Sequence, residues 1–575
     1  MENQKSIMEN QKSKIENSIG RRKFFSCAAV VGTVGALSAG TMLTSAGCKS
    51  AALAASSGSP LTNQGVFSQK TVYNIREFGA VGDGETLNTD AINNAISKCS
   101  EDGGGRVVIP VGIFKSGTIQ MKNNVELHIE MGATLLGSGD YRHYPKQAQP
   151  EFRTHLDPEG WFALIYGCEL SNIAVTGLGT INGNGAALTG IPGHAVTHSD
   201  EMFGRPRAIL FISCKQVRIE GLKMLASGSW MQHYLDCEDV IVDQIEVFNH
   251  SNKNNDLIDI DGCRRFTLSN SILDSDDDGI TFKSSGAAPS EDVTITNCVV
   301  SSCCNAIKMG TGSSGGFRNV SITNCVVKHT RDKAPGSILG GFVPKNGITG
   351  ISLQIVDGGI MEGIAISNIV MEDIECPIFI WLGNRARPHT PSAPRPQVGK
   401  LRNVAISNIV AYNTGNMCSS ISGIPGHCVE NVIIDNIQLF NRGGVTEEAY
   451  ANPAAFTGHK NVFHAQTQIH SDYRRVPEKE RDYPEAQHLG FLPSSVFFIR
   501  NVKNLSINNL MFASYNRDIR TPIIAVNTEG LRIGKSIFSG DEVFPQSYVL
   551  LNNVKEYEVE KPLGWGDNEV LKIES

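Results

Sequence analysis

A short strand phrase recurs along most of this chain and restricts its fold more than any other feature. It reads apolar residue, any residue, apolar, any residue, asparagine, any residue, apolar. Copies run from Val293 to Asn297, Val320 to Asn324, Ile364 to Asn368, Val404 to Asn408, Val432 to Asn436 and Leu505 to Asn509. Weaker copies start at Ile173, Val217, Val240 and Phe266, and from Val217 successive starts fall 23, 26, 27, 27, 44, 40 and 28 residues apart. The longer gaps are two coils, or one coil carrying a long loop. Alternation with period two predicts a short strand in each copy. Such a strand cannot bury its apolar face alone, so copies stacked as coils of a solenoid are the arrangement that buries all of them. Asparagine at one fixed place fits a turn in which its amide bonds along the stack and its backbone is left-handed. Separate β-sandwich domains are excluded by the regular spacing and the lack of linkers.

The repeat changes what length and composition mean. At about 150 residues per domain, 575 residues suggest three or four domains. The repeat instead makes residues 72–575 one all-β parallel β-helix, interrupted by a long insertion around 440–495. The 58 glycines exceed the usual share of about 7% and read as turn residues. A net charge of −7 excludes a basic nucleic-acid binder. Fourteen cysteines are too sparse for a disulfide scaffold. Cys214, Cys237 and Cys263 each lie three residues before a strand start, and Cys298 and Cys325 each lie five after one. These equal registers predict interior ladders of free thiols, with disulfides as the alternative. Thr89 and Asp90 precede an apolar stripe of Ala91, Ile92, Ala95, Ile96 and Cys99, which predicts a capped amphipathic helix covering the open edge of the first coil.

The first 54 residues read as an address. Arg21-Arg22 precede a run of small residues from Phe24 to Gly47, a pattern resembling a twin-arginine export leader. Ala52-Leu53-Ala54 offers a cleavage site, and Ser45-Ala46-Gly47-Cys48 offers a loose lipoprotein box with Cys48 as the acylated residue. Residues 55–71 form a linker. The expected location is the periplasm or cell surface, for a monomer that binds no nucleic acid.

Carboxylates concentrate between Asn254 and Lys283. Asp277 and Asp278 follow Asp256 by about one coil, and stacked coils lie about 4.8 Å apart. The three acids should therefore share one face and repel, raising at least one pKa. A protonated carboxyl beside an ionised one is an acid–base pair suited to glycoside hydrolysis. Solvated turn aspartates, or a structural Ca²⁺ site, are the alternative.

This region resembles glycoside hydrolase family 28, the polygalacturonases and their relatives, over most of residues 72–435. The resemblance covers Phe78 to Gly84, Val175 to Gly183, Arg205-Pro206-Arg207, Trp230 with His233, Asn254-Asn255-Asp256, and Asp276-Asp277-Asp278 followed by an apolar run to Lys283. It implies a right-handed parallel β-helix and inverting hydrolysis of a pectin-like polysaccharide, with no metal or other cofactor. Asp277 is then the general acid, and Asp256 and Asp278 hold and deprotonate water. Asn254, Asn305, Lys308, His233 and Arg385 are the expected substrate-binding residues. Two segments depart from the family. Its Gly-His-Gly aligns with Cys304-Asn305-Ala306, and its basic Arg-Ile-Lys aligns with Ser352-Leu353-Gln354. Lys308, Arg385 or Arg387 could restore the lost charge, and His250 the lost histidine. Trp230 and Trp381 are either sugar platforms or packing residues. A polysaccharide lyase and a non-catalytic glycan-binding β-helix are the competing functions.

Overall fold

A computed structural model describes residues 71–574, apart from 154–160, 189–203, 253, 331–346, 453–468 and 541–546. The leader, its cleavage site, Cys48 and nearly all of the linker lie outside the described residues.

The described strands join into one sheet in which every named pairing is parallel, and the fold is a right-handed parallel β-helix. Each coil adds a strand to up to three ladders. The ladder that matters for function contains Arg207–Ile212, Gln232–Leu235, Ile258–Asp261, Ile280–Ser284, Asn305–Ser313, Gly347–Ile355 and Ile374–Leu382. Its register stacks Ile258, Ile280, Ile307 and Ile351 in an inward column. The neighbouring outward column is His233, Asp259, Thr281, Lys308 and Ser352. Alternation along each strand thus sends every second residue into the apolar core and every other one toward the outer face.

The asparagines occupy left-handed corners. Asn368, Asn408 and Asn436 have φ of 56°, 55° and 54°. The side-chain amide of Asn408 donates to Asn368 at 3.0 Å, and that of Asn436 donates to Asn408 at 2.7 Å. Each amide satisfies its neighbour in the next coil, so the same residue type supplies both the backbone conformation and the lateral bond. Asparagine, rather than glycine, therefore carries most corners of this ladder.

The long gaps in the repeat are single coils with loops. Val320 pairs directly with Ile364, Ile364 with Val404, and Val432 with Leu505. The insertion begins after Gly443, because the strand Val429–Gly443 runs past residue 440, and it ends at the strand Ser494–Asn516. It is anchored by a second apolar cluster that includes Phe379, Trp381, Val476, Leu489 and Leu492.

All described cysteines are free thiols. Cys214, Cys237 and Cys263 are buried in the main core, and the Cys237 thiol donates to the carbonyls of Phe211 and Leu235 at 3.5 Å. The interior-ladder expectation holds and the disulfide alternative falls. The helix Thr89–Glu101 buries Ile92, Ala95, Ile96 and Cys99. Its N-cap is Asn88, however, and no side chain caps it. The Asn88 amide is occupied by the backbone of Val81, and Thr89 Oγ1 accepts from Gly117 N.

Candidate active site

The three predicted acids stand on stacked turns. Asp256 lies just before Ile258–Asp261, and Asp277 and Asp278 just before Ile280–Ser284. The backbone ladder runs through these turns: Met231 N donates to Asp256 O, Leu257 N to Asp278 O and Gly279 N to Asn305 O, at 2.8–3.1 Å. At Gly279 a Cβ would lie 2.3 Å from Ala306 O, so only glycine lets the next coil stack here. Asn255 fastens the turn before Asp256. Its Oδ1 accepts from Ser251 N and Asn252 N, and its Nδ2 donates to the carbonyls of Ser227 and Ser229.

One oxygen from each of Asp256, Asp277 and Asp278 lies within 4.8 Å of the others. The environments of the three differ sharply. Asp278 accepts from Lys308 Nζ at 2.6 Å and from Asn305 Nδ2 at 2.7 Å. Burial pushes its pKa up, but Lys308 and Asn305 together hold it below the usual carboxylate range. Asp277 is pushed up to about 7, first by burial and then by Asp278. Asp256 is raised well above its ordinary value by burial and by Asp277. One acid is therefore biased toward its ionised form beside two that are biased toward their protonated form.

The remaining expected residues divide. Asn305 and Lys308 meet at Asp278. Asn254 stands beside the turn, with φ of 54° and its Oδ1 accepting from Arg205 at 3.0 Å. His233 does not line an open cleft: it is fully buried, packed edge-on to Trp230 at 5.1 Å and 3.3 Å from Asp261. Burial lowers its pKa to about 3, so the ring is neutral. Arg385 is held by a carboxylate. It makes two hydrogen bonds to Asp357, which Arg387 also approaches at 3.4 Å. His250 does not replace the missing family histidine. It is buried between Asp274 and Asp276 and stacks on Phe248. Trp381 is a packing residue, stacked on Phe379 in the cluster beneath the insertion. Trp230 is also buried, with Arg207 and Lys283 each 4.4 Å from its ring centroid. Ser352 and Gln354 are buried and bond to each other at 2.6 Å.

Residues 99–457 match the family model described as Glycosyl hydrolases family 28. The chain belongs to this family. Among curated relatives of this family-28 chain, it is 37% identical to an exo-poly-alpha-D-galacturonosidase of Dickeya chrysanthemi over 20% of each chain. It is 28% identical to a probable polygalacturonase of Vitis vinifera, over 36% of this chain and 43% of the relative. The matches thus span less than half the length of these relatives. Two solved structures share the fold. An exopolygalacturonase from Thermotoga maritima has a TM-score of 0.53 at 24% identity, covering 65% of this chain and 88% of that one. A family 28 exopolygalacturonase from Yersinia enterocolitica has a TM-score of 0.55 at 17% identity, covering 88% and 78%.

Two residues of the candidate site come from the insertion and have no repeat or motif to announce them. The Tyr483 hydroxyl accepts from Lys308 Nζ at 3.0 Å, and its ring lies 5.9 Å from the Arg385 guanidinium. Glu485 is buried close enough to raise Asp277 and to stabilise charged Lys308. The only signal in the sequence was the long break in the repeat around them, since long loops on a solenoid often shape a binding groove.

Proposed function

We propose that this chain is an exported hydrolase that cuts glycosidic bonds in a galacturonate-containing, pectin-like polysaccharide. In this reading residues 1–54 are the export leader, with cleavage near Ala54 or lipidation at Cys48, residues 55–71 a linker, and the monomeric β-helix works in the periplasm or at the cell surface. The observation that carries the reading is the unequal treatment of adjacent aspartates. Lys308 and Asn305 hold Asp278, whereas among the described residues no cation pairs directly with Asp277.

Asp277, protonated, donates to the leaving glycosidic oxygen. Asp278, ionised, takes a proton from water, and Asp256 helps hold that water. Proton donation in the transition state offsets charge on the leaving group, and proton removal strengthens the nucleophile. No step requires a metal. The names of the relatives support a galacturonan as substrate. Inversion rests on the family resemblance and is read directly from the anomer of the first product by NMR.

A lyase needs a neutral base. Lys308 is held as a cation: burial opposes its charge, but Asp278 outweighs burial. Incubation with pectic polysaccharides should release reducing ends without new near-UV absorbance. Asp277→Asn should lower that rate by about 10²–10⁴. Unsaturated, absorbing products that vanish on chelation would replace this reading with a lyase.

A further inference from the structure

A polymer with a carboxylate on its sugars presents negative charge on both sides of the bond being cut. Lys308 stands on one side of the three acids, in the strand Asn305–Ser313. The positions of the family's basic pair, Ser352 and Gln354, lie in the coil beyond Lys308 and carry no charge, and the other side of the acids is served by the preceding strands. We infer that Lys283 is a specificity-determining residue whose ammonium receives the carboxylate of the sugar on the side of the scissile bond away from Lys308. The inference rests on the hydrolase reading above.

Lys283 belongs to the strand that follows Asp277 and Asp278, and its register partner is Asp261 in the preceding coil. Its side chain leans back over earlier coils. Nζ lies 3.4 Å from Asp259 Oδ1 and 4.4 Å from the Trp230 ring centroid. The carboxylate on one side and the aromatic face on the other fix the direction of a flexible side chain. Lys283 lies near the end of the strand Ile280–Ser284 that Asp277 and Asp278 lead into, and its charge acts to lower the pKa of both Asp256 and Asp278. Exposure separates it from its neighbours. Its side chain is 14% exposed, against 2% for Lys308. Arg153 and Arg207, on the same side, are buried at 1% and 0%. Among the described cations on this flank, Arg153, Arg205, Arg207 and Lys283, Lys283 is the most exposed.

The test compares wild type, Lys283→Gln and Lys283→Arg on polygalacturonate and on its methyl ester, which has the same backbone without the charge. Reducing ends give kcat/KM on each, and thermal melting confirms folding. For Lys283→Gln the ratio of acid to ester kcat/KM should fall about ten- to a hundredfold, the worth of one charge-assisted hydrogen bond. Lys283→Arg, which keeps the charge, should retain most of the preference. A ratio within threefold of wild type in folded Lys283→Gln overturns the inference and leaves the hydrolase reading standing. A wild type that cuts neither polymer overturns both.

Discussion

Lys308 Nζ lies 2.6 Å from Asp278 Oδ2, and the two residues belong to successive coils. Both side chains are almost wholly buried, at 2% and 6% exposure. Removing one partner of such a pair leaves an uncompensated charge, which costs about 3–5 kcal/mol. Lys308→Met should therefore lower the melting temperature and also lower activity by at least about a hundredfold, because Asp278 loses the charge that keeps it ionised. The double variant Lys308→Met, Asp278→Asn should melt higher than Lys308→Met alone. Equal melting of the two would show that the pair is not coupled.

The rate should fall as pH rises through about 7, where Asp277 loses the proton that it must donate. On the acid side the rate should persist to below the ordinary carboxylate range, because Asp278 is held below it. Glu485 is one of the negative charges that raise Asp277. Glu485→Gln should thus move the basic limb of the kcat/KM profile to lower pH. A basic limb that stays in place would remove Glu485 from this account.

His250 should make stability depend on alkaline pH. Burial pulls its pKa down, but Asp274 and Asp276 together raise it to about 9. Its folded value is above the unfolded value of about 6.5. The stability it contributes is therefore fully present below about 6.5 and is lost as pH rises through about 9, to a total of at most about 3 kcal/mol. Urea midpoints of the wild type should drop between pH 6 and 10. His250→Gln should be less stable at pH 6 and should lack most of that drop.

The asparagine ladder should be costly to interrupt. Asn408 has φ of 55°, donates to Asn368 and accepts from Asn436. Asn408→Ala loses both bonds and leaves in left-handed backbone a residue that tolerates it less well than asparagine, for about 2–4 kcal/mol. Asn408→Gly keeps the conformation and should cost about half as much. Melting curves of the two variants separate conformation from hydrogen bonding.

Much of the fold was legible because its information is local. Strand alternation, the fixed asparagine and the cysteine registers are repeated coil by coil, so one coil states the rule for the next. The same period placed Asp256 against Asp277 and Asp278, since a separation of one coil is a contact across the stack. The cap of the first helix was misread because Asn88 and Thr89 are engaged by Val81 and Gly117 across turns that the local pattern does not describe.

What tertiary structure decided is the charge on each group. Asp277 and Asp278 are adjacent and chemically identical. They differ because Lys308 and Asn305 from the next coil meet only one of them. Arg385 looked like a free cation until Asp357 was placed against it. His233 looked like a ligand of a sugar, and the two candidate tryptophans fitted either stacking on sugar or packing, until burial closed around all three. Tyr483 reaches Lys308 across 175 positions of sequence. A repeat fixes which residues stack, because stacking follows from a short local period. It does not fix which of them ionise, because that depends on desolvation and on partners brought in by loops that obey no period.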